Sequence, residues 1–283
     1  MDKNNSFLLG CYEKAMPNHL SLKEKLYYAK LCNYDYLEIS IDETDDKLNR
    51  LDYSDEQINQ LKIEMMELNM PILTMCLSGH RKYPLGSHDE VIQKRSIEIM
   101  EKACLFAFKL GIRIIQLAGY DVYYENHDEF TQKSFESNLK KCVNIASIYG
   151  ILLGFETMET PFMDTVTKAM QYVLQINSPY LNVYPDLGNL TNSSRIYQKP
   201  IDLDIYSGNG KIIAAHLKEV IEGHYREIPF GTGDTQYDLA INILHKMGVR
   251  LFTAEFWYVG NEKWQDDLIF ANQYLRDKLA RYY

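Results

Sequence analysis

Eight short apolar runs alternate with longer stretches of helical periodicity, and this alternation is the strongest constraint on what the chain can fold into. The runs are FLLGCY (7–12), YDYLEISI (34–41), PILTMCLS (71–78), RIIQLAG (113–119), ILLGFET (151–157), LNVYPD (181–186), IIAAHLK (212–218) and LFTAEFW (251–257). Between and after them, apolar spacing near 3.6 predicts helices over 21–32, 54–68, 93–111, 130–150, 165–176, 237–248 and 264–279. Ser54 and Asp55 mark a helix start, and Gly111, Gly150 and Gly248 stand where helices should stop. The 190–210 segment is polar and irregular, with room for one short helix. Strands alternating with helices imply parallel βα units. Eight such units in 283 residues is the count of a (β/α)8 TIM barrel in the α/β class. An open doubly wound sheet is the alternative, but no GxGxxG or P-loop glycine run follows an early strand. No linker or low-complexity segment breaks the chain, so a single barrel domain over 1–283 is expected.

A barrel places its chemistry at the C-terminal ends of its strands. Glu156 lies near the end of the fifth run, Asp186 ends the sixth, His216 lies near the end of the seventh and Glu255 near the end of the eighth. Each has an ordinary reading alone: a carboxylate paired with Lys or Arg, a loop cap, or a core histidine. Four metal-capable residues at the same height on four consecutive strands predict one convergent site. A buried carboxylate has to be paired, protonated or bound to a metal. Three carboxylates and one imidazole form a hard donor set, suited to one divalent ion (Mn, Mg, Co or Zn) with positions left open for substrate.

Composition narrows the function classes. Lys plus Arg is 30 against 39 for Asp plus Glu, a formal net charge of −9. That argues against a sequence-independent grip on nucleic acid, though not against an anionic substrate in a local positive pocket. The five cysteines, Cys11, Cys32, Cys76, Cys104 and Cys142, form no CxxC pair and read as free thiols of a reducing cytosol. The N-terminal MDKNNSFLLGCYE has too short an apolar run for a signal peptide, and no apolar span reaches membrane length. A cytoplasmic protein without a membrane partner is expected.

The segments GCYEKAMP, MCLSGHRKYPLGS, RIIQLAGYDVYYE, ETMETPFMD, YPDLGNL, AAHLKE and IPFGTGD, spread from about residue 7 to 260, resemble the L-ribulose-5-phosphate 3-epimerases of the xylose-isomerase-like barrels. The resemblance implies interconversion of L-ribulose 5-phosphate and L-xylulose 5-phosphate, in the carbohydrate metabolism of ascorbate catabolism. It puts the metal ligands at Glu156, Asp186, His216 and Glu255, with Glu156 and Glu255 also the catalytic pair. A phosphorylated ketose needs a positive or amide-rich pocket. The candidates for binding the phosphorylated substrate are Ser78, His80, Arg81, Asn189, Lys218, Arg226, Gly231 and Gly233. Asn189 stands where the related free-ketose 3-epimerases carry a His, which fits the phosphate branch. Tyr120, Tyr123 and Tyr124 are expected to wall the mouth, and Glu38 to pair with a neighbouring Lys, a hydrogen bond to substrate being the alternative. Barrels of this kind often associate, so a homo-oligomer is compatible with the sequence.

Other readings remain open. A free-ketose 3-epimerase or an aldose–ketose isomerase would use the same barrel; the isomerases commonly hold two metals with additional ligands, and no such surplus lies near His216. An endonuclease acting on damaged DNA would need a His-rich cluster and a basic face, which seven His and this charge do not favour. A non-catalytic sugar-binding barrel would be recommended only by loss of the Glu pair.

Overall fold

The computed structural model describes residues 7–283; the first residues of the N-terminal stretch read above for a leader lie outside the described residues. Among the described residues, eight strands form one all-parallel sheet: β1 (Leu8–Tyr12), β2 (Tyr36–Ser40), β3 (Ile72–Leu77), β4 (Ile114–Ala118), β5 (Leu152–Glu156), β6 (Leu181–Val183), β7 (Ala215–Leu217) and β8 (Leu251–Ala254). The order is β6-β5-β4-β3-β2-β1-β8-β7, so the chain's first and last strands are neighbours. Isolated parallel bridges, Val183–Ile212 and Asp186–His216, join the two edges. The Val183 amide donates to the Lys211 carbonyl at 2.8 Å and the His216 amide to the Pro185 carbonyl at 2.9 Å. The sheet thus curls into a (β/α)8 barrel, as the alternation predicts.

The helices ring the sheet: α1 (Leu22–Leu31), α2 (Asp45–Leu48), α3 (Asp55–Leu68), α4 (Glu90–Leu110), α5 (Glu129–Tyr149), α6 (Val166–Ile176), α7 (Leu187–Ile196), α8 (Ile201–Tyr206), α9 (Tyr237–Lys246) and α10 (Trp264–Leu279). None of them is long and apolar enough to cross a membrane. Local chemistry sets their ends. Ser54 caps α3 in a reciprocal capping box with Gln57, and Gly111 and Gly150 end α4 and α5 at φ of 86° and 67°. The five cysteines are free and buried.

Two features differ from the sequence expectation. The 190–210 segment carries most of α7 and the whole of α8. Asp186 starts α7 by accepting from the Asn189 amide at 2.6 Å. Thr191, Asn192 and Ser193 are buried there and bonded inward, Thr191 Oγ1 donating to Leu187 O and Ser193 Oγ to Asp164 O. Polar residues on the inner face hid the helix from an apolar count. The last three apolar runs also overrun their strands, because most of the residues that flank these strands in irregular backbone (184–186, 212–214, 218 and 255–257) are buried as well.

Inside the barrel, Gly10 on β1 exists for Tyr36 on β2: a Cβ at Gly10 would fall within the Tyr36 ring. That ring crosses the interior so that its hydroxyl donates to Phe252 O at 2.8 Å. Above it, Glu13 at the end of β1 is fully buried and anchors the first two βα loops. Its carboxylate takes Lys47 at 2.6 Å, Arg50 at 2.9 Å and the Ser40 amide at 2.9 Å, with Lys25 at 3.9 Å. Burial opposes ionisation of Glu13, but Arg50, Lys47 and Lys25 outweigh it and hold the carboxyl down to about 2. Burial likewise pushes Lys25 down to about 8, so this cation costs stability wherever it is charged and offsets part of the gain.

Because Glu13 is the sole carboxylate at the centre of this cluster, Glu13→Gln should destabilise the protein by about 3–5 kcal/mol in urea unfolding at pH 7. A carboxyl held below its usual range stabilises above that range and loses the effect as pH falls toward its folded value. The gap between wild type and Glu13→Gln should therefore narrow between about pH 4.5 and 2, and a gap that stayed constant would contradict the ion-cluster account.

Candidate metal and catalytic site

Glu156 is the last residue of β5, His216 lies within β7, and Asp186 and Glu255 sit just beyond β6 and β8. One ligand atom from each lies within 4.8 Å of the other three, and all four residues are buried. His216 Nδ1 is 3.2 Å from Glu255 Oε2 and 3.6 Å from Glu156 Oε1. Asp186 Oδ2, His216 Nδ1 and Glu255 Oε2 are buried and accept or donate no hydrogen bond among the described residues. Orphaned polar atoms this deep are costly, and here they converge. A divalent cation fits the set: it would take one lone pair from each and supply the positive charge that three adjacent carboxylates need.

The charges within the set act on one another. Burial and Glu255 push the Glu156 carboxyl up. Burial, Glu255 and Glu156 push Asp186 well up against the pull of Lys218. Glu255 is held far down: burial works against its charge, but Lys218 and His216 outweigh it. Adjacent carboxylates cannot all ionise freely without a cation.

A second layer orients the ligands. His216 Nε2 lies 2.7 Å from Glu38 Oε1, and both side chains are fully buried. Burial opposes protonation of His216, yet Glu38 and Glu255 raise its pKa well above the usual range. Glu38 Oε2 in turn accepts from Thr74 Oγ1 at 2.6 Å and Tyr184 OH at 2.8 Å. A carboxylate fixed on Nε2 leaves Nδ1 to face the other three ligands, the arrangement by which outer groups set the tautomer of a metal-binding His. Glu38 therefore pairs with His216 and not, as its local sequence suggests, with a Lys. Gln116 on β4 donates its amide to Glu156 Oε2 and fixes that carboxylate. Gln116 was readable as the uncharged polar residue inside the apolar run RIIQLAG; Glu38 stood out in its own run, but its partner His216 is remote in sequence.

A polar cavity opens above the set, lined by Tyr12, Lys14, Cys76, Ser78, Arg81, Glu156, Glu159, Lys218, Arg226, Glu255 and Trp257 among others. Of the expected phosphate residues it gathers Ser78, Arg81, Lys218 and Arg226; it also includes Lys14, which the sequence did not single out. The remaining candidates are turned elsewhere. His80 is buried against Ser96 O at 3.0 Å, and burial pushes its pKa down to about 4, so it is neutral and outside the cavity. Asn189 donates to Thr157 O at 2.7 Å and does not line the cavity. Gly231 and Gly233 sit in a turn already filled by Glu219, whose carboxylate accepts from the Gly231 amide at 2.9 Å and the Thr235 amide at 3.1 Å. The Glu219 side chain also packs against Gly233, so a carboxylate of the protein itself occupies the turn that an anion would enter. Tyr123 supports Arg81, whose guanidinium lies 4.7 Å from its ring centroid, and Tyr124 reaches out to Glu43. Tyr12 takes the place expected of the loop tyrosines at the cavity wall.

The four cavity cations differ in their partners. Lys14 is 2.7 Å from Asp42, Arg226 is 2.9 Å from Glu159, and Lys218 lies 3.5 Å from Asp186 and 3.7 Å from Glu255. Arg81 has no carboxylate at ion-pair distance among the described residues, and its buried Nε has no hydrogen-bond partner. It is the cation best placed to take an anionic ligand.

Comparison with known proteins follows the same lines. The Xylose isomerase-like TIM barrel family matches residues 26–275. A protein of Mycoplasma pneumoniae named "Probable L-ribulose-5-phosphate 3-epimerase UlaE" is 42% identical over 86% of this chain and 78% of its own length. The L-ribulose-5-phosphate 3-epimerase UlaE of Escherichia coli O8 is 36% identical over 96% of this chain and 95% of its own length. Among solved structures, D-psicose 3-epimerase of Clostridium cellulolyticum H10 with D-tagatose superposes with a TM-score of 0.80 at 18% identity, over 96% of this chain and 99% of that one. At that identity the likeness concerns the fold.

Glu38→Gln should weaken binding of a divalent ion about 10- to 100-fold, the usual cost of losing an outer partner of a ligating His. Titration calorimetry with Mn²⁺ on the folded variant reads this directly, and an unchanged affinity would remove Glu38 from the site.

Proposed function

The chain belongs to the xylose isomerase-like TIM barrels and, within them, to the L-ribulose-5-phosphate 3-epimerases, and on that premise we propose that it interconverts L-ribulose 5-phosphate and L-xylulose 5-phosphate by removing and returning the proton at C3. The observation that carries this reading is the convergence of Glu156, Asp186, His216 and Glu255 beneath a cavity rich in cations. One divalent ion held by these four residues would supply Lewis acidity to the carbonyl next to the reacting carbon.

The chain's own groups then do the proton work. Glu156 and Glu255 come from β5 and the end of β8, on different sides of the mouth. One carboxylate takes the C3 proton, and the electron pair left behind forms the C2–C3 double bond while the carbonyl becomes an oxyanion. The other carboxyl delivers a proton to the opposite face, which inverts C3 and restores the ketone. The direction of reaction decides which residue acts first. Gln116 holds Glu156 in place by its amide, while Lys218 and His216 flank Glu255.

The phosphate end is assigned in this reading to Arg81 and Ser78 in the loop after β3, with Lys14 at the neighbouring rim. Support comes from the unpaired Arg81 and from the filling of the Gly231–Gly233 turn by Glu219. The five buried free thiols are compatible with a cytoplasmic enzyme.

Glu156→Gln and Glu255→Gln should each lower turnover of L-ribulose 5-phosphate by about 10³-fold or more while the protein still binds a metal ion; near-normal turnover of either variant would refute the two-carboxylate mechanism. Arg81→Gln should raise KM for L-ribulose 5-phosphate about tenfold or more and leave KM for free L-ribulose nearly unchanged. Steady-state kinetics with both sugars separates the phosphate site from the reacting centre.

A further inference from the structure

Lys218 lies two residues beyond His216, so the two side chains share the inward face at the end of β7. Lys218 is 4% exposed, and its backbone carbonyl is fixed by Thr235 Oγ1 at 3.0 Å. A buried ammonium is expensive and is normally bonded closely to a carboxylate. The other two buried lysines each find a close acceptor, Lys47 the Glu13 carboxylate at 2.6 Å and Lys25 the Glu13 backbone carbonyl at 3.1 Å, and the half-buried Lys14 and Lys168 reach Asp42 and Asp164 at 2.7 Å. Lys218 does not. Its closest carboxylate oxygens, on Asp186 and Glu255, are 3.5 and 3.7 Å away. Both belong to ligands of the candidate metal centre, and the ammonium makes no closer ion pair among the described residues. Its free donors border the cavity beneath Trp257, whose ring centroid is 5.8 Å from Nζ.

We infer that Lys218 serves the reacting end of the substrate and not its phosphate, donating a hydrogen bond to the oxygen on which negative charge develops when the C3 proton leaves. The inference rests on the epimerase reading above. During proton removal the C3–H bond breaks, the proton neutralises a carboxylate, and the electron pair passes through the new C2–C3 bond to the former carbonyl oxygen. Total charge is unchanged, but the negative charge migrates from protein to substrate. Lys218 keeps its proton throughout. A cation bonded tightly to Glu255 would favour charge on the carboxylate and oppose this migration. A cation held nearby, with donors open to the cavity, stabilises the charge after it has moved. Such preorganised donors lower the barrier because they need no rearrangement as charge develops. Arg81, at the other rim and without a carboxylate partner, leaves Lys218 unneeded for the phosphate.

The test compares wild type, Lys218→Met and Lys218→Arg, each saturated with Mn²⁺, on L-ribulose 5-phosphate and on free L-ribulose. The expected result for Lys218→Met is a fall in kcat of about 10²- to 10³-fold on both sugars, the usual cost of losing one charge-stabilising donor, with KM within about threefold. Lys218→Arg, which keeps the charge, should recover part of the loss and also guards against misfolding of the apolar variant. The isotope effect on C3-deuterated substrate should rise in Lys218→Met as proton removal becomes fully rate-limiting, and Mn²⁺ affinity by calorimetry should not weaken. Three results would overturn the inference: a KM increase confined to the phosphorylated sugar, which makes Lys218 a phosphate ligand; weaker Mn²⁺ binding with activity restored by excess metal, which makes it a charge balance for the ion; or unchanged kcat. Wild type that epimerises neither sugar would overturn the epimerase reading and this inference with it, whereas active wild type with any of those three results overturns the inference alone.

Discussion

The burial of three carboxylates and one imidazole around a common point is the constraint to which the rest of the barrel mouth answers. Glu156, Asp186, His216 and Glu255 bring ligand atoms within 4.8 Å of one another. Without a compensating cation, some of those carboxylates must stay protonated. The surroundings are arranged for charge that will be neutralised at the centre. Glu38 fixes His216 from below, Gln116 fixes Glu156 from the side, and Asp186 is positioned by its second task as the cap of α7. The closure between β6 and β7 places Asp186 opposite His216 as bridge partners, so joining the two edges of the sheet also builds the site.

Polarity is distributed unevenly around the mouth, and that unevenness suggests how a ligand lies. On the β7 side Glu219 takes the Gly231 and Thr235 amides, and Arg226 is paired with Glu159. On the β1–β3 side Arg81 is held over Tyr123 and keeps its charge available. Glu13 and its three cations stiffen the base of the first two loops, which carry Tyr12 and Lys14 to the same rim. On the function proposed above, an anionic tail toward β3 would leave the sugar carbons over the carboxylates and Lys218 close to the oxygens of the reacting end. Phosphate recognition and charge stabilisation would then be divided between two cations at opposite rims.

Much of this was legible in the sequence, for physical reasons. Parallel barrel strands are buried on both faces, so they appear as continuous apolar runs, and a charged residue at the end of such a run stands out. That is why the fold and the four convergent residues could be read from order and spacing. Glu38 stands out in the same way, but its partners Thr74, Tyr184, His216 and Thr253 lie on other strands across the barrel, and local sequence pointed to a nearby Lys. His80 and the Gly231–Gly233 turn looked like anion sites by residue type, yet a backbone carbonyl and an internal carboxylate satisfy them first. Helix α7 escaped because its buried face carries Thr191, Asn192 and Ser193. In each of these cases the decisive partner is remote in sequence or is backbone.

The most direct test of the central claim is proton NMR of L-ribulose 5-phosphate in D₂O with the metal-loaded protein. Deuterium appearing at C3 together with L-xylulose 5-phosphate is the predicted result, since the carboxylate pair exchanges its proton with solvent between removal and return. Deuterium entering at C1 would contradict the account and make the protein an aldose–ketose isomerase on the same barrel.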